Sequence, residues 1–237
     1  MVGYFNKILK LFLFTLCLGL IFYLWNFLKI YSDQLILLTY QHVRMIFFAM
    51  PPAIILGVGM GILIYHSKRR AAIVIGIAGI IMTIPSIALF GLMIPFLAPL
   101  GAGVGLVPSI IALILYSQLP IIRNTYVGLR DISPAVLKVA EGMGLTKWEV
   151  LRKVRLPLAL PVILSGIRTA VVLSVGVAAV AAYIGGGGLG RWIFGGIRRT
   201  YSEMMLSGAV AVSLLAIGLD MALARFQKSL TQVTRYS

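Results

Sequence analysis

Residues 71–122 carry no charged side chain at all. Water does not solvate 52 such residues, and a spanning helix needs only about 20 mostly apolar residues. The run therefore holds more than one membrane crossing. The whole chain agrees, with 60% hydrophobic and 11% charged residues and a mean hydropathy of +1.03. A soluble domain averages about 25% charged residues. The bilayer is the solvent for this chain.

The net charge of +15 would point to nucleic acid in a soluble protein. Here the basic residues sit between apolar runs, where an excess of Lys and Arg marks cytoplasmic loops. Nucleic acid is thus not an expected partner, whereas membrane lipid is. Cys17 stands alone, so no intrachain disulfide forms. His42 and His66 are far apart, without metal-ligand spacing to a second ligand type. No phosphate loop of the form G-x-x-x-x-G-K-[ST] occurs, and no catalytic triad is visible. We therefore expect no enzyme, and no cofactor held by this chain.

Six apolar segments are long enough to cross. They are 11–28, 45–65, 71–94, 107–122, 161–184 and 204–224. The first reads as a retained anchor, because it is long for a signal peptide and no clear cleavage site follows. The proline- and glycine-rich stretch 95–108 divides the third from the fourth. Residues 31–44 read as a helix lying along the outer face.

Lys and Arg set the orientation. With the N-terminus inside, the inner segments hold Lys7, Lys10, Lys68, Arg69, Arg70, Arg123, Arg130, Lys138, Lys147, Arg152, Lys153, Arg155, Arg225, Lys228 and Arg235. The outer segments hold Lys29, Arg44, Arg191, Arg198 and Arg199. Fifteen against five puts both termini, and the loop 123–160, in the cytoplasm.

That loop contains DISPAVLKVAEGMGLTKWEVLRKVRLP at 131–157. Ser133-Pro134 predicts a helix start, with Ser as cap and Pro at the first position. Ala135, Val136, Val139, Ala140 and Met143 then form one apolar face, with Lys138 and Glu141 off it. Gly144 ends the helix in a left-handed conformation. Thr146 to Glu149 reads as a capping box that opens a second helix, on which Trp148, Leu151 and Val154 share a face. Leu156-Pro157 is expected to stop it. Two capped helices with an apolar face exceed what a connection requires and suit a helix-in-groove contact with a partner.

The spacing resembles the "EAA" loop of inner-membrane permeases of ABC-type importers: E-A-A, three residues, Gly, nine residues, I-x-L-P. It falls here on Lys138-Val139-Ala140, then Gly144, then Val154-Arg155-Leu156-Pro157. Glycine and Leu-Pro match. Lys138 replaces the leading glutamate, and Glu141 lies on the same helical face three residues on. TIPSIALFGLMIP (83–95), PSIIALILYSQLPIIRNTYVGLRDISP (108–134) and AAYIGGGGLG (181–190) resemble the osmoprotectant branch, which imports glycine betaine, carnitine, choline or related quaternary amines.

The resemblance implies an all-α, single-domain permease over 1–237 with about six transmembrane helices and the type I ABC importer permease fold, in a bacterial inner membrane. It implies two cytosolic ATP-binding subunits, which hold ATP and Mg, and a second permease copy or paralogue. A substrate-binding protein is implied at the outer face. The coupling residues would be Lys138, Val139, Ala140, Glu141, Gly144, Val154, Leu156 and Pro157. A methionine or other amino-acid permease shares part of the pattern. An ATP-independent channel or secondary transporter is the reading of another class, and it requires ionisable residues deep in several spans. A multispan membrane enzyme would need clustered His, Asp, Glu or Cys, which the sequence does not offer.

Several other residues carry two readings. Pro85 and Ser86 mark either a kink or irregular backbone along a pathway. Gly185 and Gly186, in the glycine run after the fifth span, read as flexible backbone beside the pathway, with Tyr183 next to them. Tyr183, Trp192, Phe194 and Tyr201 form an interfacial belt, or else a cage for a quaternary ammonium. Arg168 and Asp220 are each explained by reaching toward the inner interface, and Glu203 by its place at a helix N-terminus.

Overall fold

The computed structural model describes residues 27–233 continuously, preceded by Gly19, Phe22, Tyr23 and Trp25. The expected first span, 11–28, thus lies almost wholly outside the described residues. Every regular element among those described is helical. Among the described residues four helices are long and apolar enough to cross a membrane, or five if a helix pair bent by 99° counts as one broken span.

α1 runs over Ser32–Ile64. It is about 50 Å long at 1.5 Å per residue, against a hydrocarbon core of about 30 Å. The segment 31–44 is therefore not a separate surface helix. It forms the opening turns of α1, because nothing in it interrupts helical hydrogen bonding.

α2 (Lys68–Thr83) and α3 (Ser86–Leu97) are the bent pair, turned by 99°. Proline forces the residue before it out of the helical region. Ile84 accordingly lies at φ −66, ψ 126 and Pro85 at φ −56, ψ 134. The Tyr116 phenol donates to the Ile84 carbonyl at the bend. The break expected over 95–108 is thus shorter and is not the main one. Pro95 lies inside α3, and the chain turns through a short 3₁₀ segment (Ala98–Leu100) into α4 (Leu106–Arg130).

After α4 come α5 (Pro134–Gly142) and α6 (Lys147–Glu149), then α7 (Leu156–Ala181), α8 (Gly190–Arg199) and α9 (Ser202–Val233). α4 sits at the centre, between α1 and α7. Their shared core includes Met45, Ala49, Ala53, Ala112, Leu113, Ile121, Ala170, Val175 and Ala178. Small residues let membrane helices approach closely, and interhelical polar contacts then tie them. Ser117 and Ser174 hydroxyls meet at 3.1 Å between α4 and α7. His42 Nε2 meets the Val175 carbonyl at 3.0 Å, tying α1 to α7.

α7 and α9 are joined inside the apolar region. Arg168 Nε and Nη2 donate to the two Asp220 carboxylate oxygens at 2.6 and 2.5 Å. Seven residues further along, Gln227 donates to the Pro161 carbonyl at 2.9 Å. Separate reach toward the interface is therefore not what places Arg168 and Asp220, for they neutralise each other. At the opposite end Thr200, at φ +53, folds α8 back onto α9.

Candidate functional site

α5 and α6 project from one end of the bundle as a helical handle. Ser133 precedes Pro134 as expected, but its side chain makes no capping hydrogen bond. α5 ends where Gly144 takes φ +77, and the Leu145 amide reaches back to the Ala140 carbonyl. The expected capping box is complete. Thr146 Oγ1 accepts from the Glu149 amide at 3.3 Å, and Glu149 Oε2 accepts from the Thr146 amide at 3.0 Å. Lys153 Nζ closes on Glu149 Oε1 at 2.9 Å. That ammonium first, and then Thr146, hold the Glu149 carboxyl at a pKa of about 2. The box thus stays charged through the physiological range.

Leu156-Pro157 does not stop the second helix. The chain passes from α6 through a wide π turn (Val150–Arg155) straight into α7. Such a turn opens the backbone and makes room for a proline ring that would clash with the fourth carbonyl before it in a regular helix. One continuous helix from Lys147 to Ile184 results. The second helix of the handle and α7 are therefore one element.

The root of this helix is clamped. Arg155 Nη1 donates to the Leu129 carbonyl at 2.7 Å, in the last turn of α4, and its guanidinium lies 5.2 Å from the Tyr65 ring centroid at the end of α1. Leu151 is buried with Tyr65, Leu129, Ala159 and Ile163. Burial, then the nearby Arg155, Lys147 and Arg70, lower the His66 pKa below its ordinary value.

The expected coupling residues, together with the neighbouring apolar residues Met143 and Trp148, divide by exposure. Val139 (64% exposed), Met143 (74%) and Trp148 (64%) face outward, beside exposed Lys138 and Glu141. Ala140 is buried, and Val154, Leu156 and Pro157 are half-buried. The apolar face expected on α5 thus splits into a buried anchor and an open surface.

At the other end of the bundle, Tyr183 and Gly185 are exposed and Gly186 is buried. The Gly105 amide donates to the Ile184 carbonyl at 2.8 Å, and the Gly188 amide to Gln41 Oε1 at 3.1 Å. The glycine run is a packed knot joining α1, α4 and α7. Tyr183 stacks edge-on to Phe194 at 5.7 Å, while Trp192 is buried against Phe27. These aromatics do not converge on a common cage. Pro85 is exposed and Ser86 half-buried at the 99° bend.

A family model described as "Binding-protein-dependent transport system inner membrane component" matches residues 53–232. The chain belongs to this family. It is an inner-membrane transport permease, and the handle lies within the matched segment. The osmoprotectant import permease protein OsmW of Salmonella typhimurium is 48% identical over 194 residues, covering 82% of this chain and 90% of that protein. The choline transport system permease protein OpuBB of Bacillus subtilis is 42% identical over 206 residues, covering 87% and 93%. Among solved structures, an inward-facing form of the MetNI methionine ABC transporter aligns with a TM-score of 0.73 at 26% identity. It covers 81% of this chain and 94% of that one.

The sequence reading missed the Arg155 clamp and the Arg168–Asp220 pair. The pair left a signal: two opposite lone charges lie a few residues inside the same end of two apolar segments. Arg155 left none, because its partner is a backbone carbonyl.

Proposed function

We propose that this permease is the pathway subunit of an ATP-driven importer for quaternary-amine osmoprotectants such as glycine betaine, carnitine or choline. The observation that carries this reading is the 48% identity to an osmoprotectant import permease over nine-tenths of that protein. The inner loops face the cytoplasm, as do both termini, in line with the Lys and Arg distribution. ATP and Mg belong to two separate cytosolic subunits. A binding protein delivers substrate at the outer face, and a second permease copy or paralogue completes the pathway.

The handle is the contact to the ATP-binding subunit. Val139, with Met143 and Trp148, enters a groove on it, and Lys138 and Glu141 supply charge at the rim. Ala140, Val154, Leu156 and Pro157 hold this surface in place, and Gly144 sets the angle between its helices. ATP-driven closure of the partner pair moves the handle, and α7 carries the motion along the bundle. The two states differ in partner affinity, as any such switch requires. Pro85, Ser86, Tyr183 and Gly185 border the pathway, with Gly186 behind them.

The methionine reading rests on structural likeness at 26% identity, against 38–48% for the relatives named for osmoprotectants, choline, carnitine or glycine betaine. Uptake of radiolabelled glycine betaine, carnitine, choline and methionine decides between them, in cells lacking other routes for each. Uptake of a quaternary amine that requires both this chain and the ATPase is expected. Methionine uptake instead, or uptake that persists without the ATPase, overturns the proposal.

A further inference from the structure

Two cavities open along the same pair of helices. The first, about 390 Å³, lies where the start of α1 meets α8 and the start of α9. Arg191, Arg198, Arg199 and Gln34 line it, with Leu37 and Met204 as apolar wall. The ion pairs among the described residues are Glu149–Lys153 and Arg168–Asp220, so the three guanidiniums have no carboxylate partner there. Glu203, on the adjoining turn, accepts from the Tyr23 phenol at 3.1 Å instead. The second cavity, about 240 Å³, lies further along α1 and α9. Its lining is wholly apolar, including Val43, Phe47, Met50 and Ile54 of α1 and Leu219 of α9.

Their relative placement is informative. Met204 opens the apolar stretch of the last span, so the arginine cavity sits at a membrane boundary. The two cavities are separated along α1 by about 15–20 Å at 1.5 Å per residue, close to one leaflet of a ~30 Å core. Leu37 and Phe47 are 52% and 68% exposed along the way. Basic pockets between membrane helices attract anionic headgroups, and an acyl chain requires an apolar track below.

We propose that the α1–α9 seam binds one anionic glycerophospholipid. Its phosphate lies among Arg191, Arg198 and Arg199, and an acyl chain descends into the apolar cavity. The arginines alone would fit any anion, including acidic side chains of a docking protein. The apolar cavity one leaflet away favours a lipid. Placing the lipid in the outer leaflet rests on the orientation proposed above. The binding itself is read without transport, so the two proposals fail separately.

Native mass spectrometry of the full chain, released from detergent with added phosphatidylglycerol, phosphatidylcholine or glycerol 3-phosphate, tests this. Phosphatidylglycerol should be retained over phosphatidylcholine, and R191Q/R198Q/R199Q should weaken it about a hundredfold, at roughly fivefold per arginine. V43W, at a partly exposed residue of the apolar cavity (Val43 is 38% exposed), fills that cavity and leaves the arginines untouched, and should weaken it several-fold. It also serves as the independent variant if the triple substitution does not fold. Equal retention of the two lipids overturns the proposal, as does equal competition by glycerol 3-phosphate or retention unchanged in both variants. Arginine variants that keep the lipid but lose the binding protein overturn it as well, and give the arginines to an acidic protein face.

Discussion

Gly144 in the handle and Gly190 at the start of α8 both stand at breaks between helices, yet they are required for opposite reasons. Around Gly144 there is open space, and a Cβ added there meets nothing within 4 Å. Its φ of +77 is what disfavours most side chains, β-branched ones above all. Gly190 has no such backbone constraint. A Cβ there would lie 2.7 Å from the Ala179 carbonyl carbon and 2.9 Å from Ala182 Cβ. One glycine is chosen for conformation and the other for contact. The handle is accordingly an exposed device with a set angle, and the glycine turn a packed joint. An open surface is free to meet a partner, whereas a packed joint holds three helices together.

The largest effect is expected at the joint. Gly190→Ala forces α7 and α8 apart, and such overpacking costs about 1–3 kcal/mol, occasionally more. The melting temperature in detergent should fall and less protein should reach the membrane. A neutral Gly190→Ala would break the comparison, because contact would then not be what selects glycine.

The next effect belongs to the handle and should show itself differently. Gly144→Val places a β-branched residue in the left-handed region, at a cost of roughly 1–2 kcal/mol. Insertion and melting temperature should change little, because the strain is local and exposed, while substrate uptake should drop several-fold. Gly144→Asn should stay near wild type, since asparagine visits that region with little penalty. Equal uptake in the two variants would show that conformation at this position does not govern coupling.

The ion pairs extend the contrast from glycines to charges. Arg168–Asp220 lies within apolar segments, where a charge left alone is expensive. Lys153–Glu149 lies on an exposed helix, where such pairs contribute little. Arg168→Leu should lower the melting temperature measurably and Lys153→Leu should not. R168L/D220L should recover most of the loss, because it removes both charges together. A double variant no better than the single one would mean that Asp220 has another partner.

What the sequence revealed follows the same division. The open handle was legible because its geometry is local: Thr146 and Glu149 cap each other across three residues, and Gly144 ends a helix in the usual way. Apolar length marked the long helices α1, α4, α7 and α9 for a similar reason. The joint was not legible. Four adjacent glycines read as flexible backbone, whereas Gly186 to Gly190 are packed against Ser109, Gln41, His42 and Ala179. Those neighbours come from helices up to about 150 residues away. The passage through Leu156-Pro157 was misread because proline normally stops a helix, and the π turn that accommodates it has no sequence signature of its own. The bend at Pro85 was visible as an interruption, but the partner of the freed Ile84 carbonyl, Tyr116, lies 32 residues away on another helix.

The smallest effect is expected at Lys138, where this chain departs from the glutamate of the loop pattern. The side chain is exposed and Glu141 lies one helical turn along the same face, so the rim of the handle keeps an acidic group with or without position 138. Lys138→Glu should leave the melting temperature unchanged and uptake within about twofold, as surface substitutions away from caps and cores usually do. A pull-down of the ATP-binding subunit with the variant permease checks it. Loss of that complex would show that the lysine meets an acidic partner of its own. The handle's specificity would then lie in its charge, and the open apolar surface of Val139, Met143 and Trp148 would only supply affinity.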